Sequence, residues 1–165
     1  MHTTDVTLAL ADDGATIALG NLLAPLMERG LVIWLNGDLG AGKTSLVRAL
    51  LRARGVTGPV KSPTYTLVEV HLVSGIYFYH FDFYRVNQAE EYLDAGLDEY
   101  FSGDGICLVE WPEKAQPYLA PPDLQIELRV DGDGRIAHLH SRTTRGNSCL
   151  SKLAAANYLN SPPPA

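Results

Sequence analysis

Residues 31–52, LVIWLNGDLGAGKTSLVRALLR, decide the fold of this chain. The apolar run 31–35 predicts a buried strand, and the apolar positions within 45–52 fall on one face of a helix. Between them, residues 37–44 match G-x-x-x-x-G-K-[ST], a loop that wraps phosphates where a strand passes into a helix. The alternative is a glycine-rich turn that binds nothing, which the correctly placed lysine and threonine disfavour. The sequence therefore predicts a phosphate-binding loop.

Each residue type of this loop has a physical role. The glycines bring backbone N–H groups inward, and the helix N-terminus adds a positive dipole. Lys43 would neutralise the β- and γ-phosphates, and the Thr44 hydroxyl would bind Mg²⁺. The residues expected to contact the nucleotide are Gly37, Asp38, Leu39, Gly40, Ala41, Gly42, Lys43, Thr44 and Ser45.

The composition indicates a soluble globular protein. Of the 165 residues, 46% are hydrophobic and 19% are charged, and no apolar run approaches the roughly 20 residues of a membrane helix. The first residues lack the basic and apolar regions of a signal peptide, so we expect a cytoplasmic protein without a membrane partner. The net charge of −6 argues against direct, tight binding of nucleic acid, which needs clustered lysine and arginine.

A single core suffices at this length, because such a chain buries roughly 70% of its unfolded surface. We predict one domain, built around the phosphate-binding loop (P-loop), over residues 1–142 and a C-terminal extension over 143–165. Within the extension, 150–159 is weakly helical, and the proline-rich residues 161–165 form a frayed tail. The two cysteines indicate neither a disulfide framework nor a thiolate metal site.

Strands and helices alternate along the chain, which predicts an α/β fold. We expect a sheet like that of P-loop NTPases, with a mostly parallel core, some antiparallel strands and flanking helices. Pro25 should bend or shorten the first helix, and residues 74–75 and 131–134 should turn the chain between strands. Strands are predicted at 6–10, 31–35, 65–71, 77–83, 106–109, 124–130 and 135–140, and helices after Asp12 and at 45–52 and 88–96.

Two acidic residues follow apolar runs and are candidates for the chemistry of the site. P-loop enzymes need an acid near Mg²⁺ in addition to the phosphate loop. Glu110 comes directly after the strand 106–109, in the arrangement of a Walker B strand, and Asp82 follows the apolar run 77–81. Either could support Mg²⁺ at the carboxyl ends of the strands. The alternative is a surface carboxylate at a strand end, which the nearby phosphate loop disfavours.

Two further segments leave alternatives open. Residues 61–66, KSPTYT, place hydroxyls on a proline-stiffened turn. There Thr64 could contact Mg²⁺ or the γ-phosphate, as the switch segments of GTPases do. From these residues alone, an ordinary turn is the favoured interpretation. Packing explains Trp111, although its place after Glu110 also suits a lid over the nucleotide.

The remaining signals concern the base and the histidines. No asparagine is followed by lysine, so the N-K-x-D guanine reader of GTPases is missing and adenine is favoured.

His80, His138 and His140 are not predicted to form a metal set. The last two alternate along one strand face, where satisfied or exposed histidines are expected.

Four motifs together resemble one family. In chain order they are GDLGAGKT at 37–44, KSPTYT at 61–66, HFDFYR at 80–85 and VEWP at 109–112. Their order and spacing strongly resemble the TsaE family, formerly YjeE, from about residue 5 to 140. The resemblance implies a small bacterial P-loop ATPase that is required for threonylcarbamoyladenosine formation in tRNA.

This resemblance also implies ligands, partners and residue roles. ATP and Mg²⁺ would be the cofactors, and TsaD, which transfers the threonylcarbamoyl group, and TsaB would be the partners. Contact with tRNA would run only through that complex. The catalytic set would be Lys43, Thr64, Asp82 and Glu110, with Thr44, Asp82 and Glu110 on the metal, and Asp13 and Trp111 near the nucleotide.

Two other functions remain open from the residues. A small-molecule kinase would use the same loop, but it would need an acceptor pocket and usually a lid with arginines, for which Arg85 is the candidate within the central motifs. A nucleotide-gated interaction module would bind ATP without turnover.

Overall fold

The computed structural model describes residues 3–160, with side chains as far as residue 156. Eleven regular elements follow one another: β1 (Asp5–Leu10), α1 (Asp13–Leu23), β2 (Val32–Asn36), α2 (Lys43–Ala53), β3 (Val68–Val73), β4 (Ile76–Asp82), α3 (Glu90–Asp94), β5 (Ile106–Glu110), β6 (Leu124–Asp131), β7 (Gly134–Ser141) and α4 (Thr144–Asn160). Short 3-10 segments lie at Ala24–Leu26, Leu97–Phe101 and Pro112–Ala115.

All seven strands form one sheet in the order β1-β7-β6-β2-β5-β4-β3. The four central strands β6, β2, β5 and β4 are parallel, whereas β1 and β7 on one side and β3 on the other pair antiparallel with their neighbours. The predicted α/β class is therefore confirmed: a mostly parallel core with antiparallel strands and flanking helices.

Helices and irregular segments bury the two faces of the central sheet. Leucines and valines of α1, α2 and α4 pack on one face, and aromatic residues such as Phe81, Phe83 and Tyr92 pack on the other. Every residue of β5 is buried, as expected for a parallel strand covered on both faces. No helix within residues 3–160 is long and apolar enough to cross a membrane.

Local signals near the N-terminus act as predicted. Asp12 caps α1, because its side chain accepts a hydrogen bond from the backbone N–H of Ala15 at 2.9 Å. α1 then stops at Leu23, and Pro25 lies in the following 3-10 turn. The expected shortening at this proline is confirmed, since a proline ring cannot continue the hydrogen-bond pattern of the helix.

Both predicted strand connections are tight turns. Ser74 and Gly75 link β3 to β4 with φ of +52° and +77°, the left-handed conformations that a two-residue hairpin turn needs. Asp131 pairs with Gly134, so that residues 132–133 turn the chain between β6 and β7. The two hairpins place antiparallel strands at the margins of the parallel core.

Three predicted boundaries were wrong. The strand predicted at 65–71 begins at Val68, because Leu67 takes a φ of +69° and its N–H donates to the carbonyl of Pro63 at 2.8 Å. The helix predicted at 88–96 covers only α3 and is followed by the 3-10 segment 97–101. The last helix was predicted from Leu150 but begins at Thr144.

α4 packs against the main core of the domain. Cys149, Leu150 and Leu153 are buried in the cluster that α1 and α2 form with the sheet. This burial explains why a helix with weak propensity is formed, since tertiary packing supplies most helical stability in proteins. The proline-rich tail predicted at 161–165 lies outside the described residues.

Two buried thiols predict how stability depends on alkaline pH. Burial raises the pKa of Cys107 to about 12 and that of Cys149 to about 11, from the ordinary 9.0. The unfolded chain ionises both thiols above that ordinary value, whereas the folded chain keeps them protonated. Their contribution to stability is therefore complete below the ordinary pKa and is lost as the pH rises through the folded values.

We expect the free energy of unfolding to fall by about 1.4 kcal/mol per pH unit and per thiol in this range. Urea unfolding at pH values between about 8 and about 11 measures the slope. In Cys149→Ala, one proton fewer is released on unfolding, so the slope should be smaller by about 1.4 kcal/mol per pH unit. An unchanged slope in that variant would contradict the assignment.

Candidate functional site

The phosphate loop joins β2 to α2, where the sequence places it. Gly42 precedes α2 with a φ of +102°, a left-handed conformation that favours glycine. At Gly37 a Cβ atom would lie 2.5 Å from the backbone oxygen of Leu128, so a larger residue does not fit. α2 begins at Lys43, and the N–H groups of its first turn are available at this end of the loop. The loop and the start of the helix together form a cradle whose geometry suits an anion.

Asp82 and Glu110 lie side by side because β4 and β5 are parallel neighbours. The register pairs Asp82 directly with Glu110 at the carboxyl ends of both strands. Both carboxylates are buried, with exposed fractions of 4% and 2%, and Lys43 is buried to the same degree at 4%. Two buried acids next to one buried cation leave the site with excess negative charge, which favours a bound metal cation.

Glu110 accepts hydrogen bonds from two side chains. The Thr44 hydroxyl donates to it, with distances of 2.8 and 3.1 Å from Oγ1 to the two carboxylate oxygens. On its other side, Nε2 of the fully buried His80 lies 2.5 Å from Oε2. Thr44 therefore connects the phosphate loop to the acid of β5, and His80 fixes that acid from within the sheet.

Asp82 fastens the turn that contains Thr64. Its Oδ2 accepts from the hydroxyl of Ser62 at 2.8 Å and from that of Thr64 at 3.2 Å, and its Oδ1 accepts from the backbone N–H of Tyr84 at 2.9 Å. The hydroxyls of Ser62 and Thr64 are themselves 2.9 Å apart. The turn at 62–64 is thus attached to the same carboxylate that faces the loop.

The Lys43 ammonium folds back on its own loop. Its Nζ donates to the carbonyls of Gly37 and Asp38, the latter at 2.9 Å, and lies 4.2 Å from the centre of the Trp111 ring. Desolvation by burial lowers the pKa of Lys43, while Glu110, the strongest of several acidic neighbours, raises it. The ammonium is held at the place where phosphate oxygens would replace the carbonyls.

Trp111 covers this ammonium through an unusual backbone conformation. Its φ of +57° is left-handed, which is rare for a bulky residue and is typical of functional sites. The chain turns here between β5 and the 3-10 segment at Pro112–Ala115. The Trp111 ring also contacts Tyr84, with ring centres 5.1 Å apart. The indole is therefore placed over the loop and does not belong only to the core.

These side chains enclose a cleft of about 260 Å³. Ten of the residues named from the sequence line it: Leu39, Gly40, Gly42, Lys43, Thr44, Ser45, Thr64, Asp82, Glu110 and Trp111. Gly37, Asp38 and Ala41 belong to the same loop but line a separate cavity on its other side. The structure thus brings together residues that are up to 72 positions apart in the chain, from Leu39 to Trp111.

Asp13 lies beside the cleft and not in it. It lines an adjoining cavity of about 310 Å³ that shares Gly40, Gly42 and Ser45 with the cleft. Arg135 borders the same cavity, and its guanidinium donates to the carbonyls of Gly40 and Ala41 at 3.2 Å each. Space for a larger group therefore continues from the phosphate loop towards the start of α1.

Sequence reasoning did not assign site roles to four residues: Ser62, His80, Tyr84 and Arg135. Ser62, His80 and Tyr84 stand inside the quoted motifs, and the nearness of two of them to Asp82 in the chain was a usable signal. Arg135 comes long after the last of these motifs, and no local pattern marks it. Arg135 reaches the phosphate loop because β7 pairs antiparallel with β6, which places the start of β7 near the loop.

The donor set of the cleft suits a hard cation and a polyphosphate. Hydroxyl and carboxylate oxygens from Thr44, Asp82 and Glu110 are the ligand types that Mg²⁺ prefers. The ammonium of Lys43 and the N–H groups of the loop suit phosphate oxygens. The site can therefore hold a nucleotide triphosphate with its metal.

Comparisons with known proteins show what this chain is similar to. Residues 10–137 match the sequence model of TsaE, described as threonylcarbamoyl adenosine biosynthesis protein TsaE. The chain is 39% identical over 154 residues to the tRNA threonylcarbamoyladenosine biosynthesis protein TsaE of Haemophilus influenzae, covering 90% of this chain and 98% of that protein. The protein of the same name from Bacillus subtilis is 41% identical over 118 residues, covering 72% and 73%.

A solved structure is also similar. The crystal structure of YdiB from Bacillus subtilis superimposes with a TM-score of 0.81 at 28% sequence identity. The match covers 95% of this chain and 99% of that one, so the likeness extends over nearly the full length of both.

Proposed function

Since this chain belongs to the TsaE family of threonylcarbamoyl adenosine biosynthesis proteins, we propose that it is a Mg²⁺-dependent ATPase. It supports threonylcarbamoyl transfer to tRNA adenosine by acting on the TsaD and TsaB proteins. The observation that carries this proposal is the hydrogen bond from Thr44 to Glu110 at 2.8 Å, which joins the phosphate loop to a buried acid. A loop that only bound a phosphate group would not need that acid.

ATP binding is supported by the loop and the adjoining cavity. The triphosphate lies in the cradle, where its oxygens displace the carbonyls of Gly37 and Asp38 from the Lys43 ammonium. Ser45 and Asp13 border the next cavity, which extends away from the loop and has room for the nucleoside. The choice of adenine rests on the missing guanine reader and on the family resemblance.

The metal is held by Thr44, Glu110 and Asp82, since Thr44 already donates to Glu110 and the register places Asp82 beside that acid. When bound there, Mg²⁺ neutralises charge on the transferred phosphoryl group. Lys43 adds a second positive charge beside the phosphates. His80 keeps Glu110 oriented, because a carboxylate that is held by a buried imidazole and by a hydroxyl cannot rotate freely.

The turn at 62–64 responds to the γ-phosphate. Its two hydroxyls both donate to Oδ2 of Asp82. A metal that binds this oxygen competes with both hydroxyls, and the γ-phosphate can then accept a hydrogen bond from them. The turn leads into β3, which lies at an edge of the sheet. Nucleotide binding thereby changes the position of the turn next to β3, at a surface that a partner protein can contact.

We expect TsaD and TsaB together to raise the ATP turnover of this chain. The reason is that Lys43 donates to carbonyls of the phosphate loop and that the turn at 62–64 is hydrogen-bonded to Asp82. Lys43 and the turn must both be rearranged before turnover. Steady-state phosphate release with and without the two partners measures the effect. Lys43→Ala mixed with the same partners is the control for contaminating ATPase, and an unchanged wild-type rate would exclude partner dependence.

Product analysis separates hydrolysis from the kinase alternative. Free phosphate indicates an ATPase, whereas a labelled acceptor indicates a kinase. Arg85, the arginine that a kinase lid would use, lies with its guanidinium 4.2 Å from the ring of Tyr65 and donates to the Tyr65 hydroxyl at 2.9 Å. It is not among the cleft residues in the described part of the chain. The geometry therefore favours hydrolysis.

The charge of the chain fits a subunit that leaves tRNA contact to others. Its net charge of −6 opposes phosphate binding over a broad surface. We expect it to work in the cytoplasm, where tRNA is modified, and to meet tRNA through the TsaD and TsaB complex. A filter-binding assay with tRNA should show weak binding by the isolated chain.

A further inference from the structure

A second cluster of ligand-type side chains lies on the opposite half of the sheet from the acids of the cleft. It consists of Asp5 on β1 and of His138 and His140 on β7, and we refer to it as the edge cluster. One carboxylate oxygen and one nitrogen from each imidazole all lie within 4.8 Å of one another. Within residues 3–160 this is the one group of three or more histidine, cysteine, aspartate or glutamate side chains that meets this spacing.

Strand geometry explains why these three side chains converge. His138 and His140 are two positions apart on one strand and therefore point to the same face. Asp5 is the direct register partner of His140 on the neighbouring antiparallel strand, so its side chain points to that face too. Leu139 and Ala137 between and beside the histidines point to the other face and are buried in the main core. The edge cluster therefore lies on the face that the helices leave open.

The contacts within the edge cluster are close. Nδ1 of His140 lies 2.5 Å from Oδ1 of Asp5, and the rings of His138 and His140 stack with centres 4.1 Å apart and planes 16° apart. Glu127 on β6 adds a second carboxylate, 3.7 Å from Nε2 of His140. Two stacked imidazoles beside two carboxylates concentrate nitrogen lone pairs and negative charge at one place. The sequence did not predict a metal set here, because Asp5 joins the histidines only through strand pairing.

We propose that the edge cluster is a binding site for a divalent transition metal, with Zn²⁺ as the best fit. The ligands are His138, His140 and Asp5, and Glu127 is near enough to support the site. Two imidazoles with one carboxylate select Zn²⁺, Ni²⁺ or Cu²⁺ over Mg²⁺ and Ca²⁺, which prefer oxygen ligands alone. Tetrahedral ligand atoms at roughly 2.1 Å from a metal lie about 3.4 Å apart. The three ligand atoms therefore need to shift by only about 1 to 2 Å.

The metal would cross-link the two strands at this edge of the sheet. β1 is the outermost strand, and β7 is its one neighbour in the sheet. Asp5 is at the start of β1 and both histidines are near the end of β7, so a metal here joins the first described strand to the last one. His138 also borders a cavity of about 420 Å³ that reaches Gly37 and Asp38 of the phosphate loop. The site is nevertheless separate from the cleft, and this proposal does not depend on the ATPase function.

Zinc binding by the full, tag-free chain tests the proposal. The chain is stripped with a chelator and titrated with Zn²⁺ by calorimetry in excess Mg²⁺, which competes for the oxygen ligands of the cleft. We expect wild type to bind one equivalent of Zn²⁺ more than the double variant H138N/H140N. The melting temperature of wild type should rise with Zn²⁺, and that of the double variant should rise less.

Two single variants make the test specific. H71N is the matched control, because His71 is also partly buried on a strand but lies on β3 at the other edge of the sheet. It should bind Zn²⁺ as wild type does. D5N changes an exposed side chain and should weaken binding at least about tenfold. Equal stoichiometry and affinity in wild type and H138N/H140N, or unchanged affinity in D5N, would overturn the site.

Discussion

Lys43→Ala is expected to abolish ATP binding at concentrations that saturate the wild type. The ammonium is buried at the entrance of the helix cradle and is held by two loop carbonyls that phosphate oxygens would replace. Hydrogen bonds to charged groups contribute about 1.5 to 3 kcal/mol each, so the loss of two of them predicts a fall in affinity of at least about 100-fold. Calorimetric titration with ATP and Mg²⁺ measures it.

The variant itself should remain folded. Burial lowers the pKa of Lys43, which means that the folded chain carries a desolvation cost for this ammonium. Removing the charge removes that cost, and the melting temperature should change by only a few degrees, as roughly 1 kcal/mol does in a domain of this size. Lys114→Ala is the matched control, because Lys114 is an exposed lysine beyond Trp111.

Trp111 supplies a second measurement of the same event. Lys43 lies 4.2 Å from its ring, so movement of the ammonium to phosphate should change the indole fluorescence. The change should occur in wild type and Lys114→Ala and be lost in Lys43→Ala. Wild-type affinity in Lys43→Ala would refute the role of this residue.

Glu110→Gln is expected to reduce ATP turnover at least about 100-fold, while ATP binding without metal stays within about threefold of wild type. Glutamine keeps the size of the side chain and can still accept from the Thr44 hydroxyl, but it has no charge for a divalent cation. The expected result separates metal-dependent chemistry from phosphate binding. Phosphate release at saturating ATP and calorimetry with and without Mg²⁺ measure the two quantities.

Glu113→Gln is the matched control for this variant. Glu113 is an exposed acid that also raises the pKa of Lys43, and it accepts a hydrogen bond from the amide of Asn36 at 3.2 Å. It does not line the cleft. Its neutralisation should leave turnover within about threefold of wild type, as is usual for a surface substitution. If turnover fell as far in Glu113→Gln as in Glu110→Gln, the loss would come from reduced negative charge near Lys43 and not from the loss of a metal ligand.

The phosphate loop could be predicted from its own residues, because its conformation depends on contacts that are local in the chain. Gly37 and Gly42 take positive φ values, and Lys43 and Thr44 open the helix that follows. The hairpin at 74–75 and the cap at Asp12 were equally local. The start of β3 was misplaced because Leu67 adopts a left-handed conformation that its apolar neighbours do not indicate.

The sequence by itself determined that this chain carries a phosphate-loop motif, which acids follow its strands, and which family it resembles. Each of these depends on residue type and spacing. Outside the two hairpins, only the tertiary structure decided which strands are neighbours. The sheet order places β4 beside β5 and β1 beside β7, and this order joins Asp82 to Glu110 and Asp5 to His140. The physical reason is that side chains on paired strands meet through register, which long-range packing sets and local sequence does not encode.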